Sequence, residues 1–143
     1  MEIALEEAHA AGARGEVPVG AVIVRGGEII ARAGNRTREL ADPTAHAEML
    51  AIRAACAALG GERLTDADLF VTLEPCAMCA GAISFARLRR VYFGAADEKG
   101  GAVVNGPRFF GQPTCHHAPE IYPGFREQES AWLLKEFFRD RRL

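Results

Sequence analysis

The stretch DLFVTLEPCAMCAGAISFA, residues 68–86, carries two elements and two cysteines. Its first part, DLFVTLE (68–74), is an apolar run that predicts a buried strand, and Pro75 ends that strand because it has no backbone N–H to donate. A short helix is predicted from about Ala77 to Ala86. A strand that leads directly into a helix indicates an α/β layer, with the cysteines at the turn between the two elements.

Strands and helices also alternate on either side of this stretch. Apolar residues recur at helical or strand intervals, which predicts helices over 2–13, from Asp42-Pro43 to about Leu59 and over 126–143, and strands over 19–25, 28–34, 90–94 and within 119–125. The Gly26-Gly27 dipeptide predicts a hairpin between the first two strands, and 97–119 is predicted to be mostly loop. An initial hairpin followed by this alternation predicts an α/β fold with a mixed sheet and helices on both faces.

Length and composition indicate a single globular domain over 1–143, with 49% apolar and 25% charged residues. The net charge of −2 gives no general attraction to nucleic acid, so any basic surface must be local. The first fifteen residues, MEIALEEAHAAGARG, hold no apolar run, which predicts neither a signal peptide nor a membrane span and favours the cytoplasm. In a reducing compartment the four cysteines are expected to be thiols.

Two short motifs point to one metal ion. Cys76 and Cys79 are three positions apart at a helix start, so both sulfurs can reach the same ion. With only two such cysteines a closed four-cysteine zinc site is not available, and His46 is the natural third ligand, which leaves a fourth position for water. Glu48, two residues after His46, is then placed to take a proton from that water as a general base.

Each motif alone has a simpler explanation. A histidine at a helix start is commonly a cap or a solvated side chain, and a single C-x-x-C pair is typical of a thioredoxin-like redox site. The redox interpretation leaves His46 and Glu48 without a role. The pattern His-x-Glu followed by Pro-Cys-x-x-Cys therefore favours a catalytic zinc site.

This compound pattern is the signature of zinc nucleobase deaminases, and nearly the whole chain resembles their bacterial tRNA-specific adenosine deaminase branch. The segments that carry the resemblance are GEVPVGAV (15–22), the asparagine of AGN (33–35), DPTAHAEMLAIR (42–53), VTLEPCAMCAGA (71–82), RVYFGAADEKGGA (90–102) and KEFFRDRR (135–142). The resemblance implies a three-layer α/β/α cytidine-deaminase-like sandwich with a five-stranded sheet, acting as a homodimer with one Zn²⁺ per subunit.

The resemblance also implies a reaction and its residues. Zinc held by His46, Cys76 and Cys79 would activate water for attack on carbon 6 of the wobble adenosine in a tRNA anticodon, that of the arginine tRNA, giving inosine. Glu48 would carry the proton to a ring nitrogen and then to the departing ammonia.

Further residues are expected to bind the substrate. Asn35 would hydrogen-bond the flipped nucleoside, Val17 and Pro18 would wall the base pocket, and the backbone amides of Ala47 and Cys76 are candidate donors. RNA contacts are expected from the loop and C-terminal residues Asp97, Lys99, Phe137, Phe138, Arg139, Arg141 and Arg142. Without the resemblance, Asn35 would be a turn residue, Phe137 or Phe138 a core residue, and the basic tail a favourable helix C-terminus.

Two alternatives and one segment stay open. A deaminase of free guanine, cytosine or their nucleotides would share every catalytic residue, whereas a non-catalytic zinc module that binds RNA would not need Glu48. The segment PRFFGQPTCHHAPE (107–120) departs from the better-known form of the family, and its consecutive Cys115, His116 and His117 invite a second metal. Adjacent residues rarely chelate one ion well, which favours a structural role for these three residues.

Overall fold

A five-stranded sheet with helices on both faces makes up the computed structural model, which describes residues 1–141. The elements of that part of the chain run in the order α1 (Glu2–Ala13), β1 (Gly20–Arg25), β2 (Glu28–Gly34), α2 (Ala47–Leu59), β3 (Ala67–Leu73), α3 (Ala77–Ala86), β4 (Arg90–Ala95), a 3₁₀ turn (Phe109–Gly111), β5 (Glu120–Tyr122) and α4 (Glu127–Arg139).

The sheet is mixed, as predicted, with the strand order β2-β1-β3-β4-β5. β1 pairs antiparallel with both β2 and β3, whereas β3, β4 and β5 are parallel to one another. The hairpin between β1 and β2 turns on Gly26 and Gly27, whose φ values of 56° and 81° suit a residue without a Cβ. The parallel pairing brings the carboxyl ends of β3 and β4 to one edge of the sheet, where ligands commonly bind in α/β proteins.

Two helices cover each face of the sheet, which confirms the predicted three layers. α1 and α4 pack on one face, while α2 and α3 pack together on the other. The central strand β3 presents alternate side chains to the α2–α3 side, and its pattern of burial shows the period of two expected for a strand. The main core is built chiefly of aliphatic side chains from β1, β3, β4, α2 and α3, including Ile23, Leu69, Val71, Ile83, Val91 and Phe93.

The predicted start of α2 at Asp42-Pro43 is wrong, because the helix begins at Ala47 with His46 as its N-cap. Asp42 forms a local turn instead: its Oδ1 accepts the Thr44 N–H at 2.9 Å and the Thr44 hydroxyl at 2.7 Å. This side-chain turn competes with helical hydrogen bonding, which keeps 42–45 outside the helix. The consequence is functional, since the later start places His46 at the helix mouth with an extended backbone.

The expectation about the thiols agrees with the structure. All four cysteines are free thiols. Within residues 1–141, no helix has both the length and the apolar character needed to cross a bilayer.

Candidate metal centre and active site

Two helix N-termini meet at the carboxyl edge of the sheet. His46 is the N-cap of α2 and Cys76 is the N-cap of α3, and both have extended backbones that turn the side chain away from the helix axis. The strand-ending Pro75 places Cys76 directly after β3, as the sequence predicts. The positive ends of two helix dipoles therefore point at one spot, where they favour thiolate and other negative charge.

His46, Cys76 and Cys79 form a compact set of three ligand atoms. The His46 Nδ1 atom lies 3.6 Å from the sulfur of Cys76 and 3.6 Å from the sulfur of Cys79. Zinc bonds of ordinary length at tetrahedral angles would separate a nitrogen from a sulfur ligand by about 3.5 Å. Nitrogen and thiolate donors at this spacing fit zinc. Among residues 1–141, no other group of three or more His, Cys, Asp or Glu residues has its ligand atoms within 4.8 Å of one another.

The two thiols are not equivalent. The Cys79 thiol and the His46 imidazole both donate to the Cys76 sulfur, which lowers the pKa of Cys76 to about 4 despite its partial burial. The pKa of the buried Cys79 is raised, because its proton is shared with Cys76 and because Glu48 lies beside it. Cys76 is therefore a thiolate at neutral pH, and an incoming cation displaces the protons held by Cys79 and by the His46 Nδ1 atom.

Glu48 lies in the first turn of α2, next to the ligand cluster, and is only 4% exposed. Burial, aided by the negative charge of Cys76, raises the pKa of Glu48 to about 7. A carboxyl group that titrates near neutral pH can both accept and return a proton, which suits general acid–base catalysis.

A cavity of about 320 Å³ opens beside the three ligands and Glu48. This volume is at the lower end of the range for small-ligand pockets. Besides the ligand residues His46 and Cys76, its walls are formed by Val17, Val19, Asn35, Thr37, Ala47, Glu48, Leu73, Glu74, Asp97 and Gly100. Asn35 is 6% exposed, and the hydrogen bond from its side chain to the Thr37 hydroxyl is long, at 3.4 Å.

The predicted substrate residues fall into two groups. Val17, Asn35, Ala47 and Asp97 line the cavity, whereas four others do not: Pro18, Lys99, Phe138 and Arg139. Pro18 is at the apex of a tight turn in which the Val19 N–H donates to the Val17 carbonyl at 2.8 Å. This turn directs both valines into the cavity and Pro18 towards a different groove. Lys99 is exposed, one residue before the cavity-lining Gly100.

That second groove lies between α1 and α4 and is lined by Pro18, Leu133, Phe137 and Arg141, among others. The Arg141 guanidinium lies 3.7 Å above the centre of the Phe137 ring. Phe138 and Arg139 are exposed on α4, and Arg139 pairs with Glu136. Arg142 lies outside the described residues.

The segment with Cys115, His116 and His117 makes contacts within the fold. The His117 ring contacts the Leu88 carbonyl through Nε2 at 2.7 Å, and its backbone N–H donates to the Ser84 hydroxyl at 3.2 Å. Cys115 also lies against Ser84, at 3.6 Å. These contacts fasten the segment to the C-terminal end of α3 and its following turn, in agreement with a structural role.

Sequence reasoning missed two buried acids beside the cavity. Glu16 accepts the backbone N–H groups of Arg38 and Glu39, and Glu74 accepts several from residues 97–105. The available signal was an acidic residue in each of two largely apolar segments, Glu16 in GEVPVGAV and Glu74 at the end of DLFVTLE. Each acid holds a loop that contributes to the cavity wall, through Thr37 for Glu16 and through Asp97 and Gly100 for Glu74.

Comparisons with known proteins agree with this geometry. The sequence profile of the cytidine and deoxycytidylate deaminase zinc-binding region matches residues 1–95. A tRNA-specific adenosine deaminase of Agrobacterium fabrum is 67% identical over 143 residues, covering 100% of this chain and 94% of its own length. A solved structure of a tRNA:A34 deaminase, from a study of A-to-I editing at the wobble position of transfer RNA, superimposes with a TM-score of 0.93 and 68% identity and covers 94% of this chain and 97% of its own. A guanine deaminase structure from Bacillus subtilis gives a TM-score of 0.67 and 33% identity, covering 97% and 90%.

Proposed function

The chain belongs to the cytidine and deoxycytidylate deaminase family, among its tRNA-specific adenosine deaminases, and from this membership we propose that it converts the wobble adenosine of a tRNA anticodon to inosine by hydrolysis. The observation that carries the mechanism is the meeting of His46, Cys76 and Cys79 beside a buried Glu48, at one end of a cavity. A purely structural zinc site would be closed by a fourth protein ligand.

We infer that His46, Cys76 and Cys79 hold one zinc ion per chain. When bound, this ion supplies the Lewis acidity that lets water lose a proton near neutral pH. Glu48 takes the proton of the attacking water as oxygen adds to carbon 6 of adenine, and passes it to a ring nitrogen. A second proton transfer through Glu48 lets the amino group leave as ammonia, so that adenosine and water become inosine and ammonia.

The chain's own polar groups orient the nucleoside in this proposal. Asn35 faces the cavity with an amide that can both donate and accept, so it can bind polar edges of the base or the ribose. The N–H groups in the first turns of α2 and α3, at Ala47 and Cys76, have no intrahelical acceptor and can stabilise developing negative charge. Val17 and Val19 provide apolar surface for the base.

The anticodon loop is proposed to lie across the cavity mouth, between the loop carrying Asp97 and Lys99 and the exposed end of α4. Single-stranded loops are the form of RNA in which a base is most easily unstacked and flipped into a pocket. Phe138 offers an exposed ring and Arg139 a charge for phosphate. A tRNA substrate also favours the cytoplasm as the place of action.

A homodimer is proposed through the α2–α3 face. Phe85 on α3 is 76% exposed, beside a groove lined by Ile52, Cys56, Ala82 and Ala86 and by the charged residues Glu62, Arg63 and Arg87. An exposed apolar patch with charged residues beside it is typical of an interaction site.

The decisive test is an inosine assay on arginine tRNA. The wild-type protein is expected to convert the wobble adenosine, and Glu48→Ala is expected to bind zinc but to lose activity by about 10²–10⁴-fold. A zinc module without catalysis would instead make no inosine in either protein and would bind RNA equally well with and without Glu48→Ala. The same assay on other tRNAs with adenosine at the wobble position shows whether the arginine tRNA is the substrate.

A second candidate is deamination of free guanine, favoured by the 33% identity and the shared fold with a guanine deaminase. Incubation with guanine, cytidine and adenosine, followed by ammonia measurement, separates the two. Release of ammonia from a free base, with no inosine in tRNA, would reverse the assignment.

A further inference from the structure

Glu74 is a buried acid for which the reaction above provides no role. It follows the last residue of β3, is 2% exposed and lies two residues before the zinc ligand Cys76. We propose that Glu74 is a positioning residue for substrate binding, whose side chain holds residues 97–105 in the shape that receives the substrate. This inference rests on the proposed tRNA deaminase function.

Both oxygens of Glu74 are occupied by a single loop. Oε1 accepts the Asp97 backbone N–H at 2.9 Å and the Asn105 side-chain amide at 2.7 Å. Oε2 accepts the backbone N–H groups of Val103, Val104 and Asn105 at 2.9–3.0 Å. One carboxyl group thereby joins the start of the loop to its end, 103–105.

The loop also lies too close to Glu74 for a side chain at the contact point. A Cβ placed on Gly101 would lie 2.4 Å from the Glu74 carboxyl carbon, 2.5 Å from Oε2 and 2.5 Å from the Asp97 carbonyl oxygen of the same loop. The next residue, Ala102, donates its N–H to the Pro75 carbonyl at 2.9 Å. The loop therefore packs directly on the turn between β3 and α3.

The same loop forms one wall of the cavity through Asp97 and Gly100. The Asp97 carboxylate accepts the N–H groups of Lys99 and Gly100 at 3.1 and 3.0 Å. These two hydrogen bonds hold the tip of the loop to Asp97. The zinc ligands and Glu48 belong to α2, α3 and their N-caps. Loss of the Glu74 contacts should consequently change the substrate wall and leave the metal site in place.

The first test is Glu74→Gln, which keeps the shape but replaces one acceptor oxygen with an amide that can only donate. We expect KM for an anticodon stem-loop RNA to rise about tenfold or more, since several hydrogen bonds to one acceptor group are disturbed. We expect kcat to change by less than about threefold, and zinc content to stay as in the wild type. A merely structural role would lower thermal stability and the active fraction with KM unchanged, and that result would overturn the proposal.

Hydrogen–deuterium exchange gives a readout that does not depend on activity. In Glu74→Gln the amides of 97 and 103–105 should exchange faster, while those within β3 and α2 keep their protection. Unchanged exchange at 97 and 103–105 would contradict the proposal.

A second variant changes the loop residue of the same contact instead of Glu74. Gly101→Ala pushes the loop off Glu74 without altering the carboxyl group, and should reproduce the rise in KM. Gly111→Ala is the matched control in the same β4–β5 connection, because a Cβ there meets nothing within 4 Å. Should Gly101→Ala bind RNA normally, or Gly111→Ala raise KM as much, the inference fails.

Failure of this inference is distinguishable from failure of the proposed function. A wild-type protein that makes no inosine overturns the function, and the exchange measurement still decides whether Glu74 holds the loop. A wild-type protein that edits tRNA, with the KM of Glu74→Gln and Gly101→Ala unchanged, overturns the positioning role alone.

Discussion

The imidazole Nδ1 of His46 lies 3.6 Å from the sulfur of Cys76, although thirty residues separate the two along the chain. Each residue caps a different helix, so the contact joins the start of α2 to the start of α3. The metal site is therefore assembled only when both helices have packed on the same side of the sheet, and zinc binding should be coupled to folding.

Replacing His46 or Cys76 with alanine should remove the metal. Each of these residues is one of three protein ligands. Zinc affinity is therefore expected to fall by more than about 100-fold, which exceeds the loss seen when a residue that only hydrogen-bonds a ligand is removed. Elemental analysis after dialysis measures the zinc content, and the melting temperature should fall with it because a ligand of the native state is gone. Cys115→Ala is the control and should keep its zinc. Undiminished zinc in Cys76→Ala would contradict the ligand assignment.

Asn35→Ala should weaken substrate binding while leaving the fold nearly unchanged. Within residues 1–141 the Asn35 side chain makes one hydrogen bond, and it is long, so its loss should cost less than about 1 kcal/mol of stability. A lost hydrogen bond to the nucleoside, by contrast, should lower kcat/KM by about tenfold or more. Thr37→Val removes the hydroxyl to which Asn35 donates and leaves the Asn35 amide in place, so it separates the loss of this internal hydrogen bond from the loss of a contact to the nucleoside. Equal kcat/KM for wild type and Asn35→Ala would remove Asn35 from the substrate site.

Local patterns were sufficient to predict most of the fold. The helix over Ala77–Ala86 and the strands over Gly20–Arg25 and Glu28–Gly34 follow from hydrophobic periodicity and from Gly and Pro positions, all of which act over a few residues. The start of α2 was missed because the Asp42–Thr44 turn also fits a helix-capping pattern. Whether these residues form a turn or begin the helix depends on how α2 packs against the sheet, which a local pattern does not show.

In the candidate site, too, the local features could be predicted from the sequence and the long-range contacts could not. The motif around His46 and Glu48 and the one around Cys76 are short, and their residue types indicate their chemistry. Glu16 and Glu74 were missed because their partners lie 22 to 31 positions further along the chain. The family resemblance placed Pro18 in the pocket together with Val17, whereas the tight turn at 17–19 directs Pro18 to a different groove.

Glu16 gives a prediction for stability as a function of pH. Burial raises its pKa, but the N–H groups of Glu39 and Arg38 and the charges of Arg14 and Arg38 outweigh burial and leave the pKa below the ordinary value of 4.5. A group whose pKa is lowered on folding stabilises the native state above its unfolded pKa, and loses that contribution as the pH falls through its folded value.

Glu16→Gln should therefore be less stable than the wild type at pH 7, by about 1–2 kcal/mol for weakened hydrogen bonds to a charged acceptor. The difference in stability should narrow as the pH falls from about 4.5 through the lower pKa of native Glu16, because the unfolded wild type binds a proton there before the native protein does. Denaturant unfolding at several pH values measures the gap, with the exposed Glu28→Gln as control. A gap that widens on acidification would contradict the assignment of the lowered pKa.

Phe85→Glu should convert a dimer into a monomer. The Phe85 ring projects from α3 next to the apolar groove with Ile52 and Ala82, and a buried unpaired charge at an interface is strongly unfavourable. Sedimentation velocity should show a dimer for the wild type and a monomer for the variant. Trp132→Glu, an exposed aromatic on α4 at the opposite face of the sheet, should leave the dimer intact. Dissociation by Trp132→Glu and not by Phe85→Glu would move the interface to the α1–α4 side.

Arg139→Gln should weaken RNA binding through the loss of one phosphate contact. For single-stranded nucleic acid, each neutralised phosphate contributes about −0.7 to the slope of log K against log salt, so the slope should become shallower by about that amount. Arg139 is highly exposed, and its ion-pair partners among residues 1–141 are Glu136 and Asp140, which water can replace. Arg25→Gln provides the matched control, because Arg25, the last residue of β1, is also an exposed arginine paired with an acid, Asp66. Fluorescence anisotropy of a labelled anticodon stem-loop between about 50 and 200 mM salt gives both slopes. If Arg25→Gln flattens the slope as much as Arg139→Gln does, the effect is one of net charge, and α4 is not part of the RNA-binding surface.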